Sequence, residues 1–361
     1  MKKKCIKWLF AALAVIFLNV SCSKDDNPEF IGNKGKVLVI NQGNYTEQSA
    51  SISLYDETTN QITNRLYESA NGVSIGATLN SGYITPYGDA ALICNYPDKI
   101  LFINPETGVD KGYSITDGLV SPRNMVMSDS YIYVTNWGSD HIVLPSGSWE
   151  FDKSYISVYS ISTLALQGNI DAGSDAEGII LYDGRLYVAV KQGLKIFDIV
   201  GNTLRLAATL KPTTFVNGAR HVVVDGMNKI WVSFPGDGLM RINPSSLEIM
   251  STLDVPVDAM DGYIAIDKDG DYIYTYCTTF DSNYIPVEAN IYKVNVKNNS
   301  YSKLFTGTYF YGVGVSPVTG NIFTSEVSFT SNSVLKVVAP SDGSIRNSAT
   351  AGIGTCRYLF F

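Results

Sequence analysis

The sequence predicts an all-β protein, a seven-bladed β-propeller whose C-terminal strand completes its N-terminal blade. Three observations predict it. One strand-and-turn phrase recurs seven times from Lys36 onward. Each copy is about 40 to 55 residues long, the period of a four-stranded blade. The two ends of the chain are complementary, one lacking the element that the other supplies. Composition agrees: 45% of residues are hydrophobic, 12% aromatic with 23 Tyr, and only 17% charged. Without long helical periodicity, that is the profile of many short strands joined by turns. Length alone, 361 residues, would suggest two domains, but a closed repeat holds such a length as one unit.

Residues 1–21 read as a leader. Lys2, Lys3, Lys4 and Lys7 form a positive start, and an uncharged, mainly apolar run follows from Trp8 to Leu18. As a helix that run spans about 16 Å, too short for a bilayer core of roughly 30 Å, so it is expected to be a signal peptide and not a membrane span. Ser21-Cys22 resembles a lipobox, which implies a diacylated Cys22 as the mature N-terminus. Asn19 departs from the aliphatic residue that this pattern prefers. Residues 22–35 form the lipidated cysteine and an acidic tether. Within it, Ser23-Lys24-Asp25-Asp26 resembles the signal that sends lipoproteins to the outer face of the outer membrane. The expected location is therefore the cell surface, with membrane contact through the lipid alone.

Four of the 27 basic residues leave with the leader, so 23 face 34 acidic ones and the mature net charge is −11. Such a surface repels nucleic acid and anionic lipid. Cys94, Cys277 and Cys356 stand singly among strand-like residues with no Cys or His at metal-binding spacing, and are expected to be small core hydrophobes.

Residues 36–361 carry the repeat. The second strand of each copy reads Lys36-Val-Leu-Val-Ile, Ala91-Leu-Ile-Cys, Tyr131-Ile-Tyr-Val-Thr, Arg185-Leu-Tyr-Val-Ala, Lys229-Ile-Trp-Val-Ser, Tyr272-Ile-Tyr-Thr-Tyr and Asn321-Ile-Phe-Thr-Ser. Third strands follow, as at Ser51-Ile-Ser-Leu-Tyr-Asp and Leu239-Met-Arg-Ile-Asn, and then turns such as Asn104-Pro105 and Asn243-Pro244. The first copy has no first strand before Lys36. The chain finishes on Cys356-Arg-Tyr-Leu-Phe-Phe361, a first strand with nothing after it. Pairing the two ties the ring and removes a free sheet edge.

In a propeller, the residues just before each inner strand crowd around the axis on one face. Aligning the copies puts Ser81, Arg123, Glu177, Arg220, Gly262, Tyr311 and Arg357 at one equivalent position. Gly82, Asn124, Gly178, His221, Tyr263, Gly312 and Tyr358 occupy the next. The same face receives unequal loops, the largest from Asn136 to Tyr155 with Trp137, His141, Trp149 and Phe151, and another carrying Phe280 and Tyr284. The candidate ligand-binding residues are Arg123, Asn124, Trp137, Glu177, Arg220, His221, Tyr284, Tyr311 and Arg357. Arginine, tyrosine and asparagine supply hydrogen bonds to a ligand's polar groups, and loop aromatics cover its apolar ones. The same charges are also able to neutralise one another at the mouth of a channel.

Signals of catalysis are thin. His141 and His221 are the only histidines, and no nucleophile elbow, metalloprotease or phosphate-loop run occurs. Asp267-Lys-Asp-Gly-Asp271 hints at a calcium loop, but its twelfth position is Thr278 and not Glu, so it reads as a turn. The expectation is a binding protein with no catalytic residues, no metal and no cofactor.

The repeats resemble the YncE-like, surface-layer-type propellers and are most similar to the BtuG-type surface lipoproteins. The likeness rests on Val39-Ile-Asn-Gln-Gly-Asn44, Tyr67-Glu-Ser-Ala-Asn-Gly72, Ser121-Pro-Arg-Asn124, Tyr311-Gly-Val-Gly-Val-Ser-Pro317 and Cys356-Arg-Tyr358. That resemblance implies capture of cobalamin or a related corrinoid and delivery to a TonB-dependent outer-membrane transporter. It fixes no ligand residue position by position. The competing expectations are a glycan-binding lipoprotein of a polysaccharide-uptake system, a protein-docking propeller, and a propeller lyase.

Overall fold

A computed structural model of the protein describes residues 34–145, 147 and 149–361. The expected leader, Cys22 and most of the expected acidic tether lie outside the described residues. Seven four-stranded antiparallel sheets are arranged as blades, as the repeat predicts. Blade 2 shows the plan: Thr78–Ile84 is innermost, followed outward by Ala90–Tyr96, Asp98–Ile103 and Asp110–Ile115.

Burial follows position in the blade. The middle strands are covered on both faces by neighbouring blades, so Ile230–Phe234 is buried at every residue. Outermost strands have one wet face and alternate instead, as Leu166–Gly173 does. Seven apolar clusters result, each joining two adjacent blades. One of them brings Val37, Val39 and Tyr55 of blade 1 against Phe323, Leu335 and Val337 of blade 7, which closes the circle.

The closing strand is Thr355–Phe360. It pairs with Lys36–Asn41 from Val37↔Phe360 to Asn41↔Thr355, with a bulge at Ile40/Asn41. Backbone bonds from Lys34 N to Phe361 O (3.0 Å) and from Gln42 N to Gly354 O (2.9 Å) extend the seam at both ends. Gly312 is required beside this seam, because a Cβ there would lie 2.0 Å from the carbonyl oxygen of Cys356.

Two features go beyond the repeat. A one-and-a-half-turn helix, Leu66–Asn71, follows the short fourth strand of blade 1 and ends on Gly72 in the left-handed region. The insertion in blade 3 folds on itself, Ile142–Val143 pairing with Trp149–Glu150. Cys94 and Cys356 are buried, Cys277 is half-buried, and all three are free thiols. The Asp267–Asp271 run is a turn, in which the Asp267 carboxylate accepts from the amides of Asp271 (2.8 Å) and Tyr272 (3.0 Å).

Candidate functional site

Strand direction sorts the connections into two faces. Segments leading into inner strands share a face, the mouth, with the loops between second and third strands. The other connections form the opposite face. At the mouth, successive inner strands touch: Gly178 N donates to Arg220 O (2.8 Å), and the Asn80 side chain donates from Nδ2 to Arg123 O (2.8 Å). Those contacts bring the aligned positions together around the axis.

Two ion clusters form there. In the first, Arg123 Nε donates to both oxygens of Glu177 (3.0 Å each), and Arg220 Nη1 approaches Glu177 Oε2 at 3.3 Å. Burial works to raise the Glu177 carboxyl, but Arg123 and Arg220 outweigh it and hold it below its ordinary value. Trp137 lies over the Arg123 guanidinium at 3.8 Å and stacks on Phe151 with ring centroids 4.6 Å apart. Asn124 Nδ2 donates to Glu177 O at 3.3 Å.

The second cluster centres on Asp261. Arg357 Nη2 of blade 1 reaches past blade 7 to Asp261 Oδ1 of blade 6 at 2.8 Å, and Tyr276 donates to Oδ2 at 3.0 Å. His221 Nε2 stands 3.8 Å from Asp261 Oδ1, and its ring meets Tyr263 edge-on at 4.5 Å. Burial lowers the His221 pKa, against the pull of Asp261. Burial opposes ionisation of Asp261 too, yet Arg357 and His221 keep its carboxyl far below the usual range.

Eight of the nine sequence candidates thus lie at or beside the axis. Tyr311 sits there under Phe329, ring centroids 5.3 Å apart, with burial pushing its phenol up. Tyr284 does not join them: it occupies a hairpin tip with a positive φ of 60° and leaves 87% of its surface in solvent. Alignment put Gly262 in the ring, where there is no side chain, and the working acid is Asp261 one residue earlier. Gly262, at φ 66°, turns the chain there. The Asp-Gly pair was the available signal, and it reads as an ordinary turn.

The ring charges are paired and mostly buried, although Arg357 Nε and His221 Nε2 have no hydrogen-bond partner among the described residues; the exposed apolar surface lies around them. Eight large apolar or aromatic side chains among the described residues expose more than 60% of their surface. Seven stand on the mouth face: Tyr45, Val143, Trp149, Val216, Met260, Tyr284 and Val287. Tyr45 and Tyr96 stack at 4.6 Å, and His141 stacks on Trp149 at 4.5 Å, so two of these outposts are paired planar surfaces.

A family model described as "Domain of unknown function (DUF5074)" matches residues 34–345. The chain belongs to the DUF5074 family. No curated protein matches it. Among solved structures, this DUF5074 propeller is similar to a protein of Bacteroides fragilis NCTC 9343 named as a candidate 6-phosphogluconolactonase. The TM-score is 0.64 at 13% identity over 91% of this chain and 99% of that one. It is also similar to the periplasmic gluconolactonase PpgL of Pseudomonas aeruginosa (TM-score 0.63, 10% identity, 90% and 99% covered). Apo AztD of Citrobacter koseri follows (0.57, 8%, 90% and 97%). At these identities the likeness is one of fold.

Proposed function

We propose that this propeller is a lipid-anchored surface protein that captures a small molecule on its mouth face and does not transform it. The ligand class is a corrinoid such as cobalamin, passed on to a TonB-dependent outer-membrane transporter. One observation carries the reading: the most exposed apolar side chains crowd one face, around a ring of polar groups. Exposed apolar surface gathered on one side of a monomer is expected where something covers it. A corrinoid matches in chemistry, having broad apolar faces for Trp149 and the Tyr45–Tyr96 pair and peripheral amides for hydrogen-bonding groups.

Binding without turnover is supported by how the titratable groups are held. His221 is only 4% exposed, and its neighbour Asp261 is fully engaged by Arg357 and Tyr276. A general base must reach its substrate, and His221 is enclosed by Tyr263 and the ion cluster.

The test is calorimetric titration of the protein with cyanocobalamin. Binding at micromolar concentration or tighter, weakened at least tenfold by Trp149→Ala, is the expected result. Absence of heat at that concentration removes the corrinoid. Retardation in polysaccharide gels would then favour the glycan reading, and hydrolysis of gluconolactone would overturn binding without turnover. Surface anchoring is tested separately, by lipid labelling that Cys22→Ala abolishes and by protease accessibility on intact cells.

A further inference from the structure

The eighth highly exposed side chain, Tyr87, stands on the opposite face, 65% exposed. It flanks a cleft of about 380 Å³ between blades 2 and 3, a volume within the range of small-molecule sites. Phe102, Met127, Ile132 and Leu164 give the cleft its apolar lining. Tyr113 forms a second aromatic wall. Its ring leans on Phe102 with centroids 5.1 Å apart, and its hydroxyl donates to Asp89 Oδ2 at 2.9 Å, so both ends of the side chain are held.

The polar groups in the cleft are paired but not exhausted. Lys111, beside the cleft and outside its lining, places Nζ 2.9 Å from Asp89 Oδ1, which balances the two charges. A carboxylate has about four acceptor positions and an ammonium three donors, so each keeps capacity after this pairing. Thr85 Oγ1 accepts from the Asp89 amide at 3.1 Å, and a hydroxyl that accepts still has its proton to donate. Asp89 disfavours an anion here and Lys111 a cation. The fitting ligand is neutral, has one flat apolar side, and carries hydroxyls that both donate and accept.

We propose that this cleft binds the pyranose ring of a neutral sugar, its C–H face against Tyr87 and its hydroxyls on Asp89 and Thr85. The site is separate from the mouth and does not depend on the ligand bound there. A propeller with both sites would hold a sugar on one face and its captured molecule on the other.

Saturation-transfer NMR tests this on the purified protein with methyl β-D-glucopyranoside, methyl β-D-galactopyranoside and methyl α-D-mannopyranoside at millimolar concentration. At least one should receive saturation. Tyr87→Ala, a change to an exposed side chain, should weaken that glycoside at least fivefold, as should Asp89→Asn, while Trp149→Ala on the other face leaves it unchanged. Three results would overturn the proposal: no transfer to any glycoside, transfer that survives Tyr87→Ala, or transfer to indole with none to the glycosides. Failure of cyanocobalamin binding would leave it standing.

Discussion

The two faces of this propeller share one scaffold and are finished in opposite ways. On the opposite face, short polar residues close tight turns on themselves. Asp56 accepts from the amides of Thr58 (2.8 Å) and Thr59 (3.1 Å), Asn104 from Glu106 (2.9 Å) and Thr107 (3.0 Å), and Asp342 from Ser344 (3.0 Å). Each bond satisfies a backbone donor locally. At the mouth, connections run long and hold planar and apolar groups out in solvent. Turn chemistry explains the first face apart from the cleft beside Tyr87; the second needs a partner to account for it. Where a repeat departs from its shortest connection, function is the first place to look.

Substitutions sharpen that contrast. The largest effect is expected on the structural face. Asp225 there accepts from Arg241 Nη2 (2.6 Å) and from Trp231 Nε1 (2.9 Å), all three side chains being buried. Asp225→Ala leaves a buried guanidinium unpaired and should cost about 4 kcal/mol, measured by urea unfolding. Glu177→Gln at the mouth should cost less, about 3 kcal/mol, because Arg220 keeps a quarter of its side chain in solvent and the amide oxygen still accepts. A Glu177→Gln protein as destabilised as Asp225→Ala would mean that the mouth ring is as structural as the turns.

Titration of the mouth clusters makes stability depend on pH. Glu177 and Asp261 have depressed carboxyl pKa values, so their stabilisation is fully present above their unfolded values, 4.5 and 3.8, and is lost as pH falls below them. His221 is depressed from 6.5, so an unfolded chain binds a proton there before the folded one does, and stability falls as pH drops below 6.5. All three act in the same direction. Thermal melts should therefore lose stability progressively from pH 6.5 downward, with a shallower decline below pH 4 in Asp261→Asn. An unchanged slope in that variant would show that the second cluster is not a source of acid sensitivity.

The smallest effect on stability should come from the outposts of the mouth. Trp149→Ala and Tyr284→Ala are expected to change unfolding free energy by under about 0.5 kcal/mol. A loss well beyond that would mean these side chains pack their own loops and are not held out for a ligand.

Much of the fold was legible because period-two patterning and turn residues repeat, and because the repeat opens on a second strand at Lys36 and closes on a first strand that ends at Phe360. The axial ring was legible for the same reason: Arg123, Glu177 and Arg220 stand at equivalent places at the mouth ends of their inner strands. Asp261 was not, since the ring position in blade 6 is Gly262, and a one-residue shift caused by a positive-φ turn is invisible to alignment. The helix Leu66–Asn71 was missed because six residues are too few to show a period. Tyr284 looked like its neighbours in the sequence, and its place at a hairpin tip depends on how far that arm projects beyond the blade. The Tyr87 cleft draws on turns about 75 residues apart in different blades, and only packing brings them together.

The central claim is that the mouth face binds a ligand, and hydrogen–deuterium exchange with and without cyanocobalamin tests it most directly. Amides in 137–151, 281–287 and 257–263 should be protected by ligand, while the turns at 57–60, 104–109 and 267–271 should exchange at the same rate. Protection confined to those turns, or no protection anywhere at saturating ligand, would contradict the account.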